Sequence, residues 1–218
     1  MAINVYFIRH GQTFFNKYHR MQGWSDTPLT AKGKADAARA GKALATIKLD
    51  YAFASDLKRT MDTARILLAN HPTEISEPTP LPAFREEFFG YFEGLNSSES
   101  ATFVSGNDGL TSFEDLIDTY GADAARDKIA AADVSGDAED STTFWARVMP
   151  GFDKLRALPD GSNVLVVSHG MTIRSIGARF STEKAHTRQP DNGSITKLTL
   201  NQDQITVDFY SQLSLPEE

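Results

Sequence analysis

Arg9, His10 and Gly11 stand at the end of the apolar run VYFI, and Ser168, His169 and Gly170 stand at the end of a second one, VLVV. A third apolar stretch, YAFA, runs into Ser55-Asp56-Leu57-Lys58-Arg59. Histidine is the side chain that changes charge near neutral pH and serves as acid, base, nucleophile or metal ligand. Arginine is a fixed cation that holds phosphate or carboxylate through paired hydrogen bonds. A single histidine after a strand is commonly a surface or structural residue. Two in equivalent places, each followed by glycine and accompanied by arginine, make a candidate anion site. A metal site is the rival, with Glu86, Glu87 or Asp26 completing the ligand set. Arg9 and Arg59 oppose it, because fixed cations repel a divalent ion. His19, His71 and His186 lie in polar stretches and read as solvated surface.

These residues need elements to position them. Asn4 to Ile8 and Asn163 to Ser168 read as strands apolar on both faces, as central parallel strands are. Tyr51 to Ser55 is a shorter strand, and Thr73 to Pro78 a weaker one fenced by prolines. Ser194 to Leu200 and Gln204 to Tyr210 read as an antiparallel pair around the NQD turn. Thr30 is placed to cap an Ala-rich helix running to about Ile47. Ser55 or Asp56 is placed to cap a second helix, with Thr60, Ala64, Leu67 and Leu68 inward, and another helix starts near Met171. Arg59 then falls in a first helical turn, where a cation opposes the helix dipole, so a ligand explains it better than helix stability does. In open α/β sheets ligands bind beyond the carboxyl ends of the strands, where following helices direct free N–H groups at anions.

From Asn96 to about Pro159 the pattern changes to helices without strands. Ser112 with Asp115 resembles a capping box, and Phe144, Val148, Phe152 and Leu155 form a helical stripe that Pro150 should kink. The expected architecture is a three-layer α/β/α sandwich, one domain over residues 1–218, with a mostly parallel sheet and a helical insertion over about 96–160. Such an insertion serves equally as a lid over the site or as an added layer.

The chain has 218 residues, a formal charge of −7 and no cysteine. That excludes disulfides and thiolate chemistry and fits a reducing cytoplasm. The negative charge, without a basic run, gives no general attraction to nucleic acid or anionic membrane, and no stretch at the N-terminus is apolar enough to span one. A cytoplasmic protein with a small-molecule partner is expected.

RHGQT with Asn16, GWSDTPLTAKG, SDLKRTMDTA, FREEFFGYFEG and VVSHG occur in that order between Val5 and about Leu200. This series resembles the histidine phosphatase superfamily, in its phosphoglycerate-mutase-like branch. The resemblance implies that His10 is a nucleophile that becomes phosphohistidine, and that Arg9, Arg59 and His169 build the phosphate pocket. It makes Asn16 a further contact and places Gln22 and Gly23 in the loop bordering the substrate. The general acid is the glutamate four residues before glycine, which selects Glu86 before Gly90, with Glu87 its rival.

The physical chemistry of the residues suits these roles. A histidine near arginines stays neutral and nucleophilic. Phosphoryl transfer depends mainly on positioned donors around three charged oxygens, so no metal or organic cofactor is expected. Cofactor-dependent phosphoglycerate mutases carry a tyrosine before the acid motif's glycine and an arginine pair in the insertion. Here Phe89 holds the first position, and Arg126 is the one arginine between Asn96 and Asp133. The expectation is therefore a histidine acid phosphatase-like hydrolase acting on a small phosphate ester. The alternatives are a phosphoglycerate mutase and a non-catalytic phospholigand-binding protein.

Overall fold

The computed structural model describes residues 2–183 and 188–216. Six strands form one sheet: β1 (Ile3–Arg9), β2 (Tyr51–Ala54), β3 (Thr79–Pro80), β4 (Asn163–Ser168), β5 (Ile195–Leu200) and β6 (Ile205–Gln212), in the order β3-β2-β4-β1-β5-β6. β1, β4, β2 and β3 pair in parallel, whereas β5 runs antiparallel to both β1 and β6. The fold is α/β with a mostly parallel sheet, as the sequence implies.

Both faces of the sheet are covered because both sets of alternating side chains are apolar. Val5, Phe7, Val164 and Val166 enter one core, while Tyr6, Ile8, Leu165 and Val167 enter the other. The second core is closed by α2 (Ala31–Ala43) and α3 (Lys58–Ala69), through Ala40, Ala64, Leu67 and Leu68. Thr30 caps α2, accepting from the Gly33 N–H at 3.0 Å, as its position before the Ala-rich run suggests. A four-residue helix, α1 (Phe14–Lys17), precedes both of these. The first core is closed by α7 (Ser141–Arg156) and α8 (Gly170–Phe180). Phe7 meets Phe84 edge-on at 5.0 Å and Phe152 at 6.1 Å. Truncating that fully buried ring costs about 3–5 kcal/mol.

Between β3 and α7 lie α4 (Ser97–Ser105), α5 (Phe113–Tyr120) and α6 (Ala122–Ala132). They share a third apolar cluster with Met21, Phe89 and Met171. α7 falls inside the predicted insertion but packs on the sheet, and its stripe of Phe144, Val148, Phe152 and Leu155 is buried in the first core. The helices that cover the site are α4 to α6. α7 continues through Pro150 without a break.

Two local expectations are corrected. The third strand is Thr79–Pro80, a two-residue edge pairing with Phe53 and Ala54, and Thr73 to Pro78 forms none. An edge strand tolerates the proline, whose missing N–H costs no ladder bond there. α3 starts after Leu57 without a side-chain cap, because Ser55 bonds Thr60 and His169, and Asp56 pairs with Arg85. Among the described residues no helix is long and apolar enough to cross a membrane.

Candidate active site

The ladder register sets the floor of the site. Arg9 lies opposite Ser168, and Ala54 opposite Val167, so the next residues, His10, His169 and Ser55, emerge side by side. Gly11 follows His10 because the chain there passes against α2: a Cβ on Gly11 would lie 2.1 Å from the Gly33 carbonyl oxygen.

Hydrogen bonds fix the protonation of both rings. The Gly11 carbonyl can only accept, so the His10 Nδ1 at 2.8 Å carries the proton. Nε2 keeps its lone pair and accepts from the Arg59 Nε–H at 3.3 Å. His169 is the opposite tautomer. Its Nδ1 accepts from Arg59 Nη2 at 2.9 Å, and its Nε2–H donates to Ser55 Oγ at 2.7 Å. Burial is the main cause holding both imidazoles well below their ordinary pKa of 6.5, with Arg59 the next. The arginine effect expected from sequence is thus the smaller one for His10.

Arg59 is fully buried. Besides the two histidines it donates to the carbonyls of Gly23 at 2.6 Å and Ser25 at 3.0 Å, and it pairs with Asp26 at 3.2 Å. It therefore ties the 23–26 loop to the floor. Arg9 gives Nη1 to the Pro190 carbonyl, while its buried Nε has no hydrogen-bond partner among the described residues.

The two adjacent glutamates have separate fates. Both oxygens of Glu86 accept at the start of α8, from the Met171 N–H at 3.0 Å and the Thr172 N–H at 2.9 Å. Glu86 lines the cavity above His10. Glu87 turns away, is fully buried and pairs with Arg126 at 3.1 Å. Burial outweighs that pairing and raises its pKa to about 7. Arg147, on α7, holds the loop under Glu86: it donates to the carbonyls of Ala83, Arg85 and Glu86 and pairs with Glu139 at 2.7 Å.

A cavity of about 510 Å³ opens above the floor. Arg9, His10, Glu86, Asn16 and Gln22 line it, whereas Arg59 and His169 do not; Arg59 contacts it through its bond to His10. Asn16 accepts from the Thr13 N–H, and Gln22 bonds Thr13 and Thr27. Gly23 does not line the cavity, and its contribution is the carbonyl that holds Arg59. The floor offers a neutral nucleophilic nitrogen, fixed cations and a carboxylate around one space. Among the described residues, no three His, Asp or Glu side chains form a metal-binding group.

His71 is buried rather than solvated, with Nε2 directed at the carbonyls of Leu44 and Ile47. His19 is exposed, and His186 lies outside the described residues. Arg174, Gln189 and Asn192 also line the cavity and Arg147 supports it, although no motif in the sequence marks them. A signal for Arg174 was present: it lies five residues after His169 on a helix whose inner face is otherwise apolar or small.

Comparison with known proteins gives the family. A family profile described as histidine phosphatase superfamily (branch 1) matches residues 5–212. A 2,3-bisphosphoglycerate-dependent phosphoglycerate mutase 2 of Gloeobacter violaceus is 30% identical over 190 residues, 81% of this chain and 74% of that protein. The corresponding mutase of Streptococcus uberis is 31% identical, covering 80% of this chain and 82% of its own. The crystal structure of a phosphoglycerate mutase from Bacillus anthracis aligns with a TM-score of 0.89 at 33% identity, over 97% of this chain and 94% of that one. A putative alpha-ribazole-5'-P phosphatase of Escherichia coli shares the fold at 24% identity, with a TM-score of 0.69 over the full length of both chains. The chain belongs to the histidine phosphatase superfamily, branch 1.

Proposed function

We propose that this protein hydrolyses phosphate monoesters through a phosphohistidine at His10. The observation that carries the reading is the unprotonated Nε2 of His10, held against Arg59 in a cavity that His10 and Glu86 both line. Nε2 attacks phosphorus as the bond to the ester oxygen breaks. Glu86 gives that oxygen its proton, and the alcohol leaves. Water then attacks the phosphorus of phosphohistidine, Glu86 takes the water's proton, and the N–P bond breaks to restore His10 and release phosphate. Arg9, Arg59 and His169 meet the charge on the three equatorial oxygens, with Asn16 as a further contact, and the charge they supply makes a metal unnecessary. Glu86 is favoured over Glu87 as the acid because Glu87 is engaged by Arg126 away from the cavity.

Mutase activity is the second reading, and the names of the relatives favour it over a general phosphatase. A mutase must keep water from its phosphohistidine and grip a three-carbon acid. The 510 Å³ cavity lies in the range of roughly 300–1,000 Å³ that suits a larger ligand. Arg126, the one arginine between Asn96 and Asp133, is committed to Glu87 and Asp123. Incubation with 3-phosphoglycerate and a trace of 2,3-bisphosphoglycerate decides between the readings. Release of inorganic phosphate from phosphate esters, without 2-phosphoglycerate, supports hydrolysis; rapid formation of 2-phosphoglycerate establishes the mutase.

A further inference from the structure

We propose that the end of the cavity remote from His10 is a hydroxyl-recognising subsite organised by Glu114. The preferred substrates are then monophosphates of polyhydroxylated alcohols, not phosphorylated carboxylic acids. The inference rests on the phosphomonoesterase reading and names its substrate class.

The wall over the floor comes from the start of α4 and α5. It presents the hydroxyl-bearing residues Ser97, Ser98 and Ser112, whereas Asn192 sits at the floor, donating to the His10 carbonyl at 2.9 Å. Neutral donors and acceptors of this kind suit hydroxyl groups. Phe89 and Phe113 add apolar surface of the sort that packs on the C–H face of a sugar or polyol.

The charges at this end point the same way. Arg174 is fully buried, but Glu114 Oε2 takes its Nη1 at 2.9 Å, and Asp118 lies 3.9 Å from Nη2. Its Nε and Nη2 make no hydrogen bond. Two carboxylates offset the charge of the cation, and its two unbonded N–H groups remain donors that a ligand hydroxyl oxygen can accept from. Arg20, also on the wall, gives Nη1 to the Gly94 carbonyl. Glu114, by contrast, is half-exposed, is steadied by Arg174 through one oxygen, and receives at the other no hydrogen bond from the described residues. A carboxylate held in this way accepts hydrogen bonds from neighbouring hydroxyls and repels a second carboxylate.

α8 sets the spacing. Met171 N–H bonds Glu86, and Arg174 follows three residues later, a rise of about 4.5 Å along the helix. Its partner Glu114 lines the same cavity as His10 and Glu86, which is the space the alcohol portion of a phosphate ester at His10 would fill.

Titration calorimetry on the catalytically silenced His10→Ala protein reads this subsite without turnover. Sorbitol 6-phosphate should bind about tenfold or more tightly than 3-phosphoglycerate. In His10→Ala/Glu114→Gln, sorbitol 6-phosphate should weaken by a similar factor while 3-phosphoglycerate tightens, since Arg174 loses its nearest counter-charge. Equal or reversed preference, failure of both ligands to bind, or a preference unchanged by Glu114→Gln would overturn the subsite. Turnover by the unmodified protein is read in parallel. If sorbitol 6-phosphate binds selectively but is never hydrolysed, the phosphatase reading fails while the subsite stands.

Discussion

The floor of the site and the wall above it differ in what holds them. His10, Ser55 and His169 follow strands whose ladder aligns Arg9 with Ser168 and Ala54 with Val167, so backbone bonds place the floor. The wall of α4 to α6 is tied across to the rest of the molecule by side-chain pairs, Glu87 with Arg126 and Glu114 with Arg174, and by its apolar cluster. Backbone-determined geometry suits reacting atoms, where an error of an ångström is costly. Side-chain geometry can change by substitution while the sheet stays fixed. Changes in the floor should therefore alter the rate of chemistry, and changes in the wall should alter selectivity or stability.

The largest effect should follow Arg59→Ala. Loss of a donor at the transition state costs about 3–4 kcal/mol, or 10²- to 10³-fold in kcat/KM. Because Arg59 also holds the carbonyls of Gly23 and Ser25, the melting temperature should fall too. An unchanged rate with reduced stability would make Arg59 purely structural and remove the contrast.

Glu86 and Glu87 set the same contrast within one dipeptide. Glu86→Gln should lower kcat/KM for an alkyl phosphate by about 10²-fold or more, and far less for p-nitrophenyl phosphate, whose leaving group needs no proton. Glu87→Gln should show no such leaving-group dependence. If the pattern is reversed, the acid is Glu87.

Glu87→Gln should act on stability instead. Its folded pKa of about 7 lies above the ordinary carboxylate value of 4.5, so the folded chain binds the extra proton between these limits. The stability this contributes is present below about pH 4.5 and lost as pH rises through about 7. The melting temperature of Glu87→Gln minus that of the parent should therefore rise from pH 5 to pH 7 and then level off. A difference flat with pH would deny the buried titration.

The smallest change is expected on acidification and on chelation. The reactive form of His10 is neutral and its pKa lies well below 6.5, so kcat/KM should hold as pH falls through 6.5 and decline only further down. EDTA should leave turnover unaltered, and vanadate, which mimics the transferring group, should inhibit it. Activity lost to EDTA and restored by a divalent ion would contradict a site charged by arginines.

The floor was legible because its signals are local: an apolar run, then His-Gly, twice. β3, two residues at a sheet edge, leaves no periodicity to read, so the sequence points to the preceding Thr73 to Pro78 instead. His71 looked solvated because its burial depends on the carbonyls of Leu44 and Ile47, supplied by the end of another helix. α7 was grouped with the insertion because a buried stripe does not reveal which surface it meets. The wall was hidden for the same reason. Ser112, Glu114 and Arg174 become neighbours only when α5 folds over α8, and Arg147 gains meaning only beneath Glu86.

The central claim is the phosphohistidine at His10. During turnover of p-nitrophenyl phosphate by Glu86→Gln, the first step proceeds and the second lacks its base, so the phosphoenzyme should accumulate. Alkaline quenching and peptide mass spectrometry should then find an acid-labile phosphoryl group on the peptide carrying His10, and none in a His10→Ala/Glu86→Gln protein. Turnover with no phosphorylated peptide, or with the phosphoryl group on a residue other than His10, would contradict the account.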